Sequence, residues 1–108
     1  MKESNAITSE QIQEWKARYG SIYKTTVGET PIVWRKLKRK EYVRIMAACA
    51  ELPPSDRVYQ RQEEIVKAAA IWPENIDEIV ADTAGIASTV CDEVMLKSGF
   101  DLFTTEAL

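Results

Sequence analysis

The stretch that most constrains the fold is Pro31-Ile32-Val33-Trp34-Arg35-Lys36-Leu37-Lys38-Arg39-Lys40-Glu41-Tyr42-Val43-Arg44-Ile45-Met46. It opens as a β-branched, apolar run and closes with apolar residues at helical spacing. A strand must therefore give way to a helix inside it. The junction carries five cations in six positions, Arg35 to Lys40, interrupted by Leu37.

Upstream, Ile22-Tyr23-Lys24-Thr25-Thr26-Val27 is rich in strand formers, and Gly28-Glu29 suits a tight Gly-X turn. Ile32 to Arg35 is then the returning strand of a hairpin. Pro31 cannot donate to a ladder, so this strand is expected at a sheet edge. A lone hairpin is marginal in water and needs helices across one face, or a partner strand.

The helices are marked by caps and stops. Thr8 with Gln11 forms a capping box, and Ile7 with Ile12 a hydrophobic staple. Ile12, Trp15 and Tyr19 share a face, and Gly20 is placed to end this helix in a left-handed cap. The second helix is predicted from Lys38 or Arg39 to about Leu52, where Pro53-Pro54 stops it. Tyr42, Ile45, Met46 and Cys49 form its apolar face. Lys38 is a poor cap, and cations near a helix start oppose its dipole.

A third helix is predicted from Ser55 to Trp72-Pro73, with a stripe of Val58, Ile65, Val66 and Ala69 and an exposed segment from Gln60 to Glu64. Glu74 to Ala84 reads as a loop or a short helix. The last clear helix runs roughly from Ile86 to Ser98. Beyond Gly99, Phe100 to Leu108 reads as an amphipathic tail, extended along the domain or free.

The fold class that follows is α+β: one mainly helical small domain over residues 1–108, with one β-hairpin packed with three to four helices. The first helix is expected to stand apart, and residues 1–6 to be flexible. No apolar run approaches the roughly 20 residues of a membrane span. The N-terminus has no apolar signal core, so the chain is expected to work where it is made.

Histidine is absent and the cysteines are two, Cys49 and Cys91, neither in a CxxC. No zinc site is expected, and the cysteines read as buried free thiols. Nucleophilic catalysis usually needs a histidine base, so the expectation is a non-enzyme without cofactor or metal. The pairs Glu63-Glu64, Asp77-Glu78 and Asp92-Glu93 point to different sides of a helix and read as solvated faces.

Charge is segregated. Residues 31–44 hold six Lys/Arg and one Glu, net +5, while residues 74–108 hold one Lys and eight Asp/Glu, net −7. Such a chain can satisfy itself internally or pair head to tail with a copy. The basic run 35–40, flanked by Trp34 and Tyr42, also fits a small nucleic-acid-binding accessory protein. The sequence pI of about 5.0 weighs against that.

Four short segments carry a resemblance: Arg39-Lys40-Glu41-Tyr42 opening a helix; Ala70-Ile71-Trp72-Pro73-Glu74; Ala84-Gly85-Ile86-Ala87-Ser88-Thr89-Val90; and Ser98-Gly99-Phe100. In this order, over about residues 22–100, the chain resembles small tail-morphogenesis proteins of large contractile-tailed bacteriophages, of the tail assembly chaperone or baseplate-hub assembly type. Those proteins often carry Thr or Ser before R-K-E-Y, where Lys38 stands here. The resemblance implies binding to other tail or baseplate proteins, in the host cytoplasm during assembly or within the virion tail, without cofactor or active site. The expected contact residues are Ile32, Val33, Trp34 and Arg35 on the edge strand, with Trp34 as anchor. To them are added Lys36, Lys38, Arg39 and Lys40 of the basic run, and Phe100, Leu102 and Phe103 of the tail. Self-association is a further expectation.

Overall fold

The computed structural model describes residues 7–100 and 103–108. In chain order they form α1 (Ser9–Tyr19), β1 (Ile22–Val27), β2 (Thr30–Arg35), α2 (Arg39–Cys49), α3 (Pro54–Ala69), β3 (Ala70–Trp72), α4 (Ile76–Asp82) and α5 (Ala84–Met95). A wider helical turn, Leu96–Phe100, follows α5. The architecture is α+β and mainly helical. The undecided segment after Pro73 contains a short helix, α4.

The hairpin forms as expected, with Val27 opposite Thr30 and Gly28 at a φ of 64° in the two-residue turn. The expected edge strand does not. The antiparallel sheet has the order β1-β2-β3, so β2 is its central strand. The new partner comes from the expected tail of the third helix. Helix α3 stops at Ala69, Ala70 turns extended (ψ 135°), and Trp72 pairs with Val33. Pro73 drives the residue before it out of the helical region, which favours this switch. Strand β3 reaches only Val33 and Trp34, so Pro31 still lies beyond it, where a missing N–H is harmless.

Alternation along the strands separates two faces. Tyr23 and Thr25 share the inner face with Trp34 and Ile32. Trp34 and Ile32 are fully buried, in a core with Leu37, Ile45, Cys49, Ile65, Val66, Val80, Ile86, Val90 and Val94. Tyr23 stacks on Trp34 with ring centres 4.7 Å apart. The Trp34 Nε1–H donates to Thr25 Oγ1 at 2.9 Å, so the indole is buried with its polar atom satisfied.

The outer face takes α1. Ile7, Ile12 and Lys16 line a cavity of about 250 Å³ with Ile22, Lys24 and Val33 of the sheet. Trp15 lies 6.1 Å from Trp72, ring centre to ring centre. Helix α1 has no fully buried residue, yet it does not stand apart as expected: it packs on the sheet as an outer layer. Its capping box is complete: Gln11 N–H donates to Thr8 Oγ1 at 3.1 Å, and Thr8 N–H to Gln11 Oε1 at 2.8 Å. Gly20 has a positive φ of 82°, but its ψ of −130° is not the left-handed helical cap expected.

Three local expectations are corrected. Helix α2 ends at Cys49 rather than Leu52, and α3 starts at Pro54 with Pro53 at the cap instead of Ser55. Proline suits the first helical position because its φ is already helical and its missing N–H is not needed there. Within α3, Val58 is exposed, whereas residues 60–64 are half-buried. Gln60 Nε2 donates to Glu64 Oε2 at 2.9 Å, and Arg61 Nη1 approaches Met46 Sδ of α2 at 3.6 Å. Helix α5 buries Ile86, Val90 and Val94 completely, as its pattern predicts.

Trp34 is the largest fully buried side chain. Trp34→Ala is expected to cost about 3–5 kcal/mol. Tyr59→Ala, at a ring 66% exposed, should stay within about 0.5 kcal/mol. Urea unfolding midpoints of the two variants check the contrast.

Candidate functional site

The expected contact residues separate into three groups. Ile32, Val33 and Trp34 are 0%, 3% and 1% exposed. They cannot anchor a partner, because β3 occupies the second edge of β2 at Val33 and Trp34. Among the described residues, the sheet's long edge without a partner strand is that of β1.

Arg35 is half-buried and works internally. Its guanidinium donates to Glu41 Oε1 at 2.9 Å and Oε2 at 2.7 Å, to Ala68 O at 3.0 Å and to Lys36 O at 3.0 Å. One side chain thus joins the end of β2, the start of α2 and the end of α3. The fork geometry of guanidinium on carboxylate makes this a directional tie. Its partner is Glu41 of the next helix, not a carboxylate of the acidic C-terminal third.

Glu41 does a second job. Its Oε1 also accepts the Lys38 N–H at 2.8 Å, closing one half of a capping box. The other half needs an acceptor at position 38, and a lysine ammonium has none. The Arg35 hydrogen bonds, followed by the Lys38 N–H, hold the Glu41 carboxyl below the usual carboxylate range against the opposing effect of burial. The same pairing raises the Arg35 pKa. A carboxylate in the first helical turn also suits the helix dipole and offsets the cations around it.

The remaining cations form an exposed rim. Lys36, Lys38, Arg39 and Lys40 face solvent, while Leu37 between them turns inward and is 7% exposed. Leu37 N–H donates to Ser98 Oγ at 2.9 Å, which docks the turn after α5 on the hinge. Phe100 follows on this turn, past Gly99 at a φ of 104°, and its ring meets Tyr42 at 4.8 Å. Arg39 lies over the Tyr42 ring at 5.7 Å, and Lys97 over the Tyr23 ring at 5.9 Å. Leu37, Lys38, Arg39, Ser98, Gly99 and Phe100 enclose a surface cavity of about 260 Å³.

The structure therefore merges two expected contact elements, the basic run and Phe100, into one site. Sequence reasoning missed Lys97 and Ser98 as members. The signal available was that Lys97 is the sole cation of residues 74–108. Phe103 is 73% exposed, in a segment without helix or strand. Leu102 and the N-terminal residues 1–6 lie outside the described residues. The site offers ammonium and guanidinium groups around an aromatic ring, suited to carboxylates or phosphates beside apolar surface. Elsewhere, Cys49 and Cys91 are buried and free, and burial pushes the Cys91 thiol up to about 11.

The Glu41 pairing gives stability a definite acid dependence. Because the folded-state pKa is depressed, its contribution is complete above the unfolded value of about 4.3. It is lost as pH falls through the lower folded value. Glu41→Gln should destabilise by about 1–2 kcal/mol near neutral pH. In urea titrations the gap from the wild type should narrow as pH falls below the unfolded value of about 4.3. Compared with known proteins, the chain matches no family model, no curated protein and no solved structure.

Proposed function

We propose that this chain is a non-enzymatic bacteriophage tail or baseplate morphogenesis protein that acts by protein-protein contact, as a virion component or a tail assembly chaperone. The observation that carries this reading is the hinge surface. Exposed Lys38 and Arg39 line a cavity with Phe100, itself 39% exposed, and exposed Lys36 and Lys40 adjoin them in the chain, on a junction fastened by Arg35. Aromatic and arginine side chains on a rigid support favour a protein contact, and the lysines beside them add charge complementarity. Two segments of the phage-protein resemblance, R-K-E-Y and S-G-F, lie on this surface, which supports the same reading. The partner is another tail or baseplate protein with acidic groups beside an apolar patch, and Phe103 extends the contact. The place of action is the host cytoplasm during assembly, with the virion tail as a second location.

The competing reading is a nucleic-acid-binding accessory protein using the basic run. The exposed cations favour it, but single-strand binders also need stacking surfaces. Trp34 is buried under Tyr23, Tyr42 is engaged by Phe100, and Arg35 is turned to Glu41 and Ala68.

A tagged wild-type chain, co-expressed with the other tail proteins of its phage, should capture at least one of them. Lys38→Glu/Lys40→Glu and Phe100→Ser/Phe103→Ser variants should lose at least about tenfold of that capture, about 1.4 kcal/mol. Capture indifferent to both variants, or no capture, overturns the proposal. A low-salt gel shift of DNA or RNA that vanishes in Lys38→Glu/Lys40→Glu would establish the competitor. Mass spectrometry of virions sorts component from chaperone.

A further inference from the structure

The basic run at the hinge and the acidic residues on and beside α4 lie toward opposite ends of β2. At the Arg35 end of β2 lie Lys36, Lys38, Arg39, Lys40 and Lys97, all exposed. Glu41 offsets them only in part, because Arg35 engages both its oxygens. At the other end, the β1-β2 turn meets the start of α4: Glu29, Thr30 and Pro31 line one cavity with Pro73, Asn75 and Ile79. Here Glu74, Asp77, Glu78 and Asp82 are exposed, and no Lys or Arg occurs from residue 74 to 96. Asp92 and Glu93 sit farther along α5, between the poles.

Two rigid elements hold the ends apart. Strand β2 runs from the acidic end to the basic end, about 17 Å at about 3.3 Å per residue. Helix α5 separates the end of α4 from the turn docked on Leu37 by about 18 Å at about 1.5 Å per residue. That exceeds the screening length of about 8 Å at physiological salt. The poles cannot satisfy each other within one chain.

We infer that two copies of this chain associate head to tail, the basic hinge of one against the acidic α4 end of the next. Like poles repel, so a two-fold contact through either pole is disfavoured. A contact between unlike surfaces is heterologous, and repeats into a ring or an open chain. Five exposed cations face four exposed carboxylates, and Phe100 supplies apolar surface at the basic end. The inference rests on the reading of the hinge as a contact surface and names a second copy as one of its partners. Phe103 remains available to other components.

Sedimentation of the full chain tests it. Concentration-dependent oligomers should form in about 0.01 M salt and dissociate in about 1 M salt, where the screening length falls to about 3 Å. Lys36→Glu/Lys38→Glu/Lys40→Glu and Asp77→Lys/Glu78→Lys/Asp82→Lys should each be monomeric. Mixed in equal amounts they should associate again, since one is acidic at both ends and the other basic at both. All six positions are exposed, and circular dichroism confirms that each variant keeps its fold. A wild type that is monomeric in low salt, oligomers that survive either set of reversals, or a mixture that fails to associate would overturn the inference. None of these outcomes prevents capture of tail proteins through Phe100 and Phe103, so this failure is distinguishable from failure of the proposed function.

Discussion

The Arg35 guanidinium is the tie on which the arrangement depends. It ties together three chain segments that the sheet and the core also bring close: the end of β2, the first turn of α2 and the carbonyl at the end of α3. The hydrogen bonds run to a carboxylate and to backbone oxygens inside a partly shielded pocket, where such bonds are stronger than on open surface. Through Glu41 the tie also helps start α2, by taking up the backbone N–H of the cap residue Lys38. The lysine cap cannot accept a first-turn N–H in return, so the tertiary tie fixes a helix start that its cap residue alone would leave weak. Such agreement between local and tertiary levels is what lets a sequence specify a single structure.

The tie decides which cations are left for a partner. Arg35 and Leu37 are drawn inward, and Lys36, Lys38, Arg39 and Lys40 stay out. The run of five cations in the sequence is therefore a fastening followed by an exposed rim. Its apolar companion is supplied from sixty residues away, when Ser98 accepts the Leu37 N–H and brings Phe100 against Tyr42. Function is read at this junction because charge, aromatic surface and rigidity coincide there.

The short strand β3 has the largest effect on where contact can occur. By pairing with Val33 and Trp34 it turns an edge strand into a central one and carries Trp34 into the core. Ile32, Val33 and Trp34 thereby leave the set of contact residues. The free sheet edge passes to β1, and the outer face is covered by α1. Sheet and helices then act mainly as spacers that keep an acidic end and a basic end apart.

The α+β class, the hairpin with its Gly28-Glu29 turn, the Thr8-Gln11 capping box and the apolar face of α5 were legible in the sequence. Each rests on a local turn or cap, on strands adjacent in the chain, or on a period the chain itself displays. The fate of Ala70-Ile71-Trp72 was not legible. Three residues cannot show a period, and their strand exists only because Val33 and Trp34 offer a ladder. Nor could the sequence apportion the cations of the hinge, since the groups that orient them, Glu41, Ala68 and Ser98, are assembled by packing. The sequence by itself determined that Pro31 to Met46 is a strand joined to a helix by a basic turn. Tertiary structure alone decided that the strand is buried and the turn exposed, because burial depends on which distant segment covers each side.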